Sequence, residues 1–141
     1  MRRALRAGLA VALALSPAAL TGQAIGGSVG RMAGAWAQED VGTLEGLMAP
    51  TVRLDLDGTA HLGVPPRQVA ASLSRLFERY TPRPLDLVRH REPGGEGEGG
   101  FAEFRWAPVT QDTGEPSSYV VFVVFRLVES DWRIAELRVL R

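Results

Sequence analysis

The sequence predicts a small α+β domain of element order ααββαββββ, in which two helices open the chain and an antiparallel meander closes it. Two observations carry this: apolar residues recur at helical spacing near residues 29–48 and 66–80, and they alternate at strand spacing over residues 51–56 and in four segments after residue 84. A chain of 141 residues leaves room for one core, and 45% apolar with 23% charged residues is the balance of a globular protein rather than a disordered one.

Residues 1–24 read as an export signal. Arg2, Arg3 and Arg6 make a basic start, residues 7–15 are an unbroken run of small and aliphatic residues too short to span a bilayer, and Ser16-Pro17 breaks it. Gly22-Gln23-Ala24 then offers small residues where a leader peptidase reads them, with Ser16-Pro17-Ala18 as a second choice. The mature domain is therefore expected over residues 25–141, periplasmic or extracellular, with no membrane span once the leader is gone. The alternatives are an N-terminal helix of the domain or an uncleaved anchor.

In the mature part, Val29, Met32, Ala33 and Trp36 fall on one face of a first helix. Asp40 is placed to cap a second, short helix whose inner face is Leu44, Leu47 and Met48 and which ends before Pro50. Val52, Leu54 and Leu56 alternate with Arg53, Asp55 and Asp57, a half-buried strand that ends in the Asp57-Gly58 turn signal. After a short return through His61, Pro65-Pro66 starts a third helix with Val69, Leu73, Leu76, Phe77 and Tyr80 inward, closed by Thr81-Pro82. Strands follow over residues 85–90, 101–106, 119–128 and 132–140, and residues 92–100, with five Gly and three Glu, read as a hairpin connection.

Composition removes several functions. All sixteen basic residues are Arg, so Schiff-base and P-loop lysine chemistry is absent, and the lack of Cys removes disulfides, thiolate zinc sites and cysteine nucleophiles. Without the three leader arginines, thirteen Arg face sixteen acidic residues, a net charge of −3 that argues against nucleic-acid binding. His61 and His90 stand 29 residues apart with no ligand spacing, so no metal and no cofactor is expected. Glu96 and Glu98 inside the glycine run would expel a phosphate, and no Ser stands in a G-x-S-x-G context.

The stretch from Ala35-Trp36-Ala37-Gln38-Glu39-Asp40 through Ala49-Pro50-Thr51-Val52, taken with the closing Asp131-Trp132-Arg133-Ile134-Ala135-Glu136-Leu137-Arg138-Val139, resembles the nuclear-transport-factor-2-like superfamily over residues 28–141. More narrowly, Leu76-Phe77, His90 before a glycine-rich turn, and the final Ile134-Ala135-Glu136-Leu137-Arg138 look like small exported bacterial domains of that fold with no assigned function. The resemblance implies a cone-shaped, curved antiparallel sheet wrapped around the third helix, cystatin-like in outline, with a pocket between sheet and helices and dimers formed through the outer sheet face.

Ketosteroid-isomerase and SnoaL-like members of that superfamily place an Asp general base on the first strand, and the match at Thr51-Val52 puts Leu54 at that position. Strand alternation turns Asp55 and Asp57 away from the pocket if Leu54 faces in. Those enzymes also use a first-helix tyrosine, whereas the tyrosines here are Tyr80 and Tyr119. An enzyme with a reduced site, an isomerase or dehydratase using His61, His90 or Glu136, stays open as an alternative.

Inward positions Trp36, Leu54, Phe77, Phe104, Trp106 and Trp132 would line an aromatic pocket or form a plain core. On the last strand the apolar face switches near Ala135. A β-bulge there would reconcile the pattern; without one, Glu136 and Arg138 would point into the cone and hold a polar ligand group. The strand over residues 119–128 is apolar on both faces, so a homodimer through the outer face is expected to supply cover. The sequence thus reads as an exported, non-catalytic module that binds a small apolar ligand or a protein partner, with a purely structural dimerisation module as a further alternative.

Overall fold

The computed structural model describes residues 24–95 and 97–141. The basic start and apolar run of the leader lie outside the described residues. Helix α1 (Gly26–Ala37) buries Val29, Met32, Ala35 and Trp36, and a short α2 (Val41–Gly46) buries Leu44. Asp40 caps α2 as expected: its carboxylate accepts from the Thr43 N–H at 3.1 Å and from the Thr43 hydroxyl at 2.6 Å, which holds that carboxyl below the usual Asp range. Met48 belongs to strand β1 (Met48–Leu56) rather than to α2, because the helix stops at Gly46 and the Leu47 carbonyl accepts from Ile134 N–H of the last strand.

Strand β1 turns through Asp57 and Gly58, both at positive φ, into β2 (Thr59–Val64). Pro65 and Pro66 then start α3 (Pro66–Phe77), whose buried face is Val69, Ala70, Leu73, Leu76 and Phe77. Tyr80 lies past the helix end, in a two-residue strand β3 (Tyr80–Thr81) that pairs with β6 (Val109–Thr110) as a separate ribbon. The main sheet is completed by β4 (Leu85–Arg91), β5 (Gly100–Trp106), β7 (Tyr119–Val128) and β8 (Asp131–Leu140), in spatial order β2-β1-β8-β7-β5-β4.

The expected meander is present, since β4, β5, β7 and β8 pair antiparallel in succession. The sheet as a whole is mixed rather than antiparallel: β8 enters beside β1 and runs parallel to it, with Leu54 opposite Leu137. The β1–β2 hairpin occupies one outer edge and α3 crosses over the sheet, so the returning chain meets β1 from the same end.

The bulge anticipated in the last strand is there. Val124 pairs with Glu136 while its neighbour Phe125 pairs with Ile134, leaving Ala135 as the extra residue. It keeps Ile134, Leu137 and Val139 all on the inner face, each about 1% exposed. Glu136 and Arg138 are thereby turned outward, which corrects the placement of these two residues in a pocket. Leu127, near the β7–β8 turn, is 57% exposed.

One continuous core fills the space between the inner sheet face and α1 and α3. The outer face carries Val120, Phe122, Val124 and Phe101, with Val120 41% exposed and the Phe101 and Phe122 rings stacked at 5.2 Å. Among the described residues no helix is long and apolar enough to cross a membrane.

Candidate functional site

Five of the eight sequence-derived site residues come together, but as packing. Trp36, Leu54, Phe77, Phe104 and Trp106 are each at most 3% exposed. Trp36 stands edge-on to Phe77 at 5.0 Å and to Trp106 at 5.3 Å, so the rings occupy the middle of the cone themselves. Trp132 is half-buried against the far end of this core, next to α1, where its carbonyl accepts from the Ser28 hydroxyl at 3.5 Å.

Glu136 and Arg138 stand on the other side of the sheet, Glu136 3.7 Å from Arg53 and Arg138 3.8 Å from Asp55. Asp55 is buried on that outer face, where its carboxylate also accepts the Gly58 N–H at 3.0 Å and so fastens the β1–β2 turn. Leu54, where the resemblance would put a catalytic base, packs into the core. His61, on edge strand β2, and His90, on β4 at the opposite edge and 3.9 Å from Glu92, do not converge. Among the described residues no three His, Asp or Glu side chains gather as a metal site requires.

Chemistry gathers instead at the mouth of the cone, where β1 and β8 end and β7 begins. A hollow of about 240 Å³ is lined there by Leu56, Asp57, Arg75, Arg79, Tyr119 and Val139, among others. An open groove of about 480 Å³ between β2 and α3, walled by Leu54, His61, Leu62, Val64, Gln68 and Ala71, shares Ser72 and Arg75 with it. The two adjoin at Ser72 and Arg75, forming a trough along α3 in two parts. Leu62, 77% exposed, stands on its rim.

Sequence reasoning missed the residues that give this trough its polarity. The hydroxyls of Tyr80 and Tyr119 are 2.6 Å apart beneath it, and the Tyr80 ring packs on Trp106 at 5.4 Å. Arg141 donates from Nε to the Tyr119 hydroxyl at 3.3 Å, lies over the Tyr119 ring, and pairs with Asp57 at 3.5 Å. Arg75 donates to the Ser72 hydroxyl at 3.3 Å, and Arg79 lies 5.8 Å from the Tyr80 ring centre. Among the described residues neither Arg75 nor Arg79 has a carboxylate within ion-pair reach.

The signal for this cluster was present but faint. The two tyrosines fall on apolar faces, and a tyrosine buried there must find a partner for its hydroxyl. Burial, reinforced by the Tyr80 hydroxyl and opposed by Arg141, pushes the Tyr119 phenol above its ordinary value. The hollow therefore presents the Tyr119 phenol and the guanidinium N–H groups of Arg75 and Arg79 around an apolar floor of Leu56, Leu76 and Val139. Guanidinium N–H donors beside an apolar floor have the chemistry to pair with an oxyanion and to pack a hydrocarbon chain.

No family model matches the chain, and no curated protein matches it in sequence. Solved structures do. A DUF4783 family protein from Bacteroides uniformis superposes with TM-score 0.65 at 16% identity, covering 79% of this chain and 94% of that one. A nuclear-transport-factor-2-like superfamily protein from Salmonella enterica gives 0.65 at 18%, covering 82% and 86%. A Catenulispora acidiphila protein of ketosteroid isomerase-like fold, solved with trimethylamine, gives 0.61 at 14%, covering 80% and 83%. At these identities the likeness establishes the fold: the chain has the nuclear-transport-factor-2-like architecture, shared with bacterial domains of unknown function.

The Tyr80→Phe variant leaves Tyr119 as the one phenol, to be followed by ultraviolet absorbance during alkaline titration. Because burial is the larger cause, ionisation is expected above the free-tyrosine value of about 10. A folded-state pKa raised above the unfolded one contributes stability below the unfolded pKa that is lost as pH climbs through the folded one, so the thermal midpoint should fall over the same alkaline window. A phenol titrating as free tyrosine in the folded protein would contradict the buried geometry.

Proposed function

We propose that this chain is an exported, non-catalytic binding domain whose site is the trough at the cone mouth, and that its ligand is a small molecule with an apolar body and an anionic end. The observation that carries the proposal is the pairing of Arg75 and Arg79, free of carboxylate partners among the described residues, with the apolar floor of Leu56, Leu76 and Val139. The hollow alone is smaller than the roughly 300–1,000 Å³ of ordinary ligand sites, and joining it to the groove brings the trough into that range. Export rests on the basic, apolar and small-residue segments of residues 1–24.

A straight-chain carboxylate such as decanoate, titrated into labelled protein and followed by NMR, is expected to shift Leu56, Ser72, Arg75 and Tyr119. Replacing both arginines, Arg75→Ala with Arg79→Ala, should weaken binding by about tenfold or more, the effect of losing roughly one charge-assisted hydrogen bond. Shifts centred on Trp36 and Phe104, or affinity indifferent to the arginines, would refute this site.

The outer sheet face favours a companion reading, a homodimer packed sheet to sheet. Phe101, Phe122, Val120 and Val124 form its apolar centre, and the flanking Arg53–Glu136 and Asp55–Arg138 pairs are already neutralised within one chain. Sedimentation at micromolar concentration is expected to give two chains, and Phe122→Asp one. A wild-type protein that sediments as one chain would refute the dimer.

A further inference from the structure

The end of the cone opposite the mouth is closed by Ile25, which is fully buried, while Ala24 before it is exposed. Its side chain lies against Gly100 at the start of β5. A Cβ built on Gly100 would stand 2.8 Å from Ile25 Cδ1 and 3.1 Å from the Arg91 carbonyl oxygen, so glycine at this position is what lets the isoleucine seat. The Ile25 N–H donates to Glu92 Oε2 at 3.0 Å, across 67 residues of sequence. The other Glu92 oxygen is 3.9 Å from His90 Nε2. Helix α1 begins at the next residue with no acidic residue in its first turn and no side-chain cap at Ile25, so Glu92 supplies that helix end with its carboxylate from another element.

We infer that hydrolysis of the Ala24–Ile25 peptide bond converts this hydrogen bond into an ion pair between the new α-ammonium of Ile25 and Glu92, which locks α1 onto the base of the sheet. The step needs a leader peptidase and one water. The water's hydroxyl stays on the Ala24 carbonyl carbon as the new carboxyl group, and its remaining proton goes to the Ile25 nitrogen. That amine takes one more proton from solvent and is then cationic.

The nitrogen keeps its place: the atom that donates one hydrogen bond as an amide donates up to three as an ammonium, with a full charge facing a carboxylate already 3.0 Å away. A cation at a helix start is opposed by the helix dipole, and the Glu92 carboxylate offsets it. The exposed residue on one side of the bond and the seated residue on the other make Ile25 a first residue that the fold uses. The inference rests on the export reading and goes beyond it by giving the cut end a structural task.

Intact-mass measurement of the protein exported from its full precursor is expected to give a chain that begins at Ile25. A retained leader would overturn both this inference and the export reading, and a cut at another bond would overturn this inference alone. Chains released from a cleavable fusion so as to start at Ile25 or at Ala24 separate the ion pair from the hydrogen bond. Glu92→Gln is expected to lower the melting temperature of the Ile25 chain by about 4 °C and that of the Ala24 chain by less than half as much. Equal losses in the two chains would overturn the ion pair and leave export untouched.

Discussion

The structure depends on the aromatic packing that fills its own cone. Trp36 from α1 sets its edge against Phe77 of α3 and Trp106 of β5, and Tyr80 and Tyr119 continue the cluster toward the mouth. Among the described residues the indole N–H groups of Trp36 and Trp106 are buried without a hydrogen-bond acceptor, a cost of about 1–3 kcal/mol each. Burying two such side chains, together with edge-to-face contacts worth about 0.5–1.5 kcal/mol per pair, offsets that cost. With the centre occupied by these rings, the polar groups among the described residues gather at the ends and on the outer surface.

The two ends are built differently. At the mouth, strand termini leave Asp57, Tyr119 and Arg141 beside Arg75 of α3 and Arg79 just past its end, and polar groups can reach water. At the base, Ile25 and Gly100 meet closely and Glu92 is held at the rim. One strand serves both, and the extra residue at Ala135 makes that possible: Trp132 and Ile134 face inward before it, Leu137 and Val139 after it. Without the bulge, one half of β8 would carry its charges into the core, at several kcal/mol per unpaired charge.

Strand alternation made much of this legible in advance. Val52 and Leu54, then Ala102, Phe104 and Trp106, then Tyr119, Val121, Val123 and Phe125 are inward as their spacing requires. Asp40 and Asp57-Gly58 acted as the cap and turn that their chemistry favours. The parallel entry of β8 beside β1 was not legible, because strand order depends on where the chain returns and not on any local pattern. Met48 was misplaced because an apolar residue fits a helix face and a strand face equally well at a junction. The mouth cluster escaped notice because Tyr80, Tyr119, Arg79 and Arg141 are separated by as many as 62 residues and meet only through the fold. Glu136 and Arg138 looked like pocket residues only for a strand without its bulge.

The central claim is that the interior is core and not cavity. Hydrogen exchange of the tryptophan indole N–H groups, read by NMR under native conditions, tests it most directly. The expected result is that Trp36 and Trp106 exchange only with global unfolding, at the rate of the slowest backbone amides, and that a carboxylate in the trough leaves their resonances in place. Rapid exchange of either indole in the folded protein, or a ligand that moves their signals, would mean that the cone holds a solvent-reached pocket and that the functional site lies inside it.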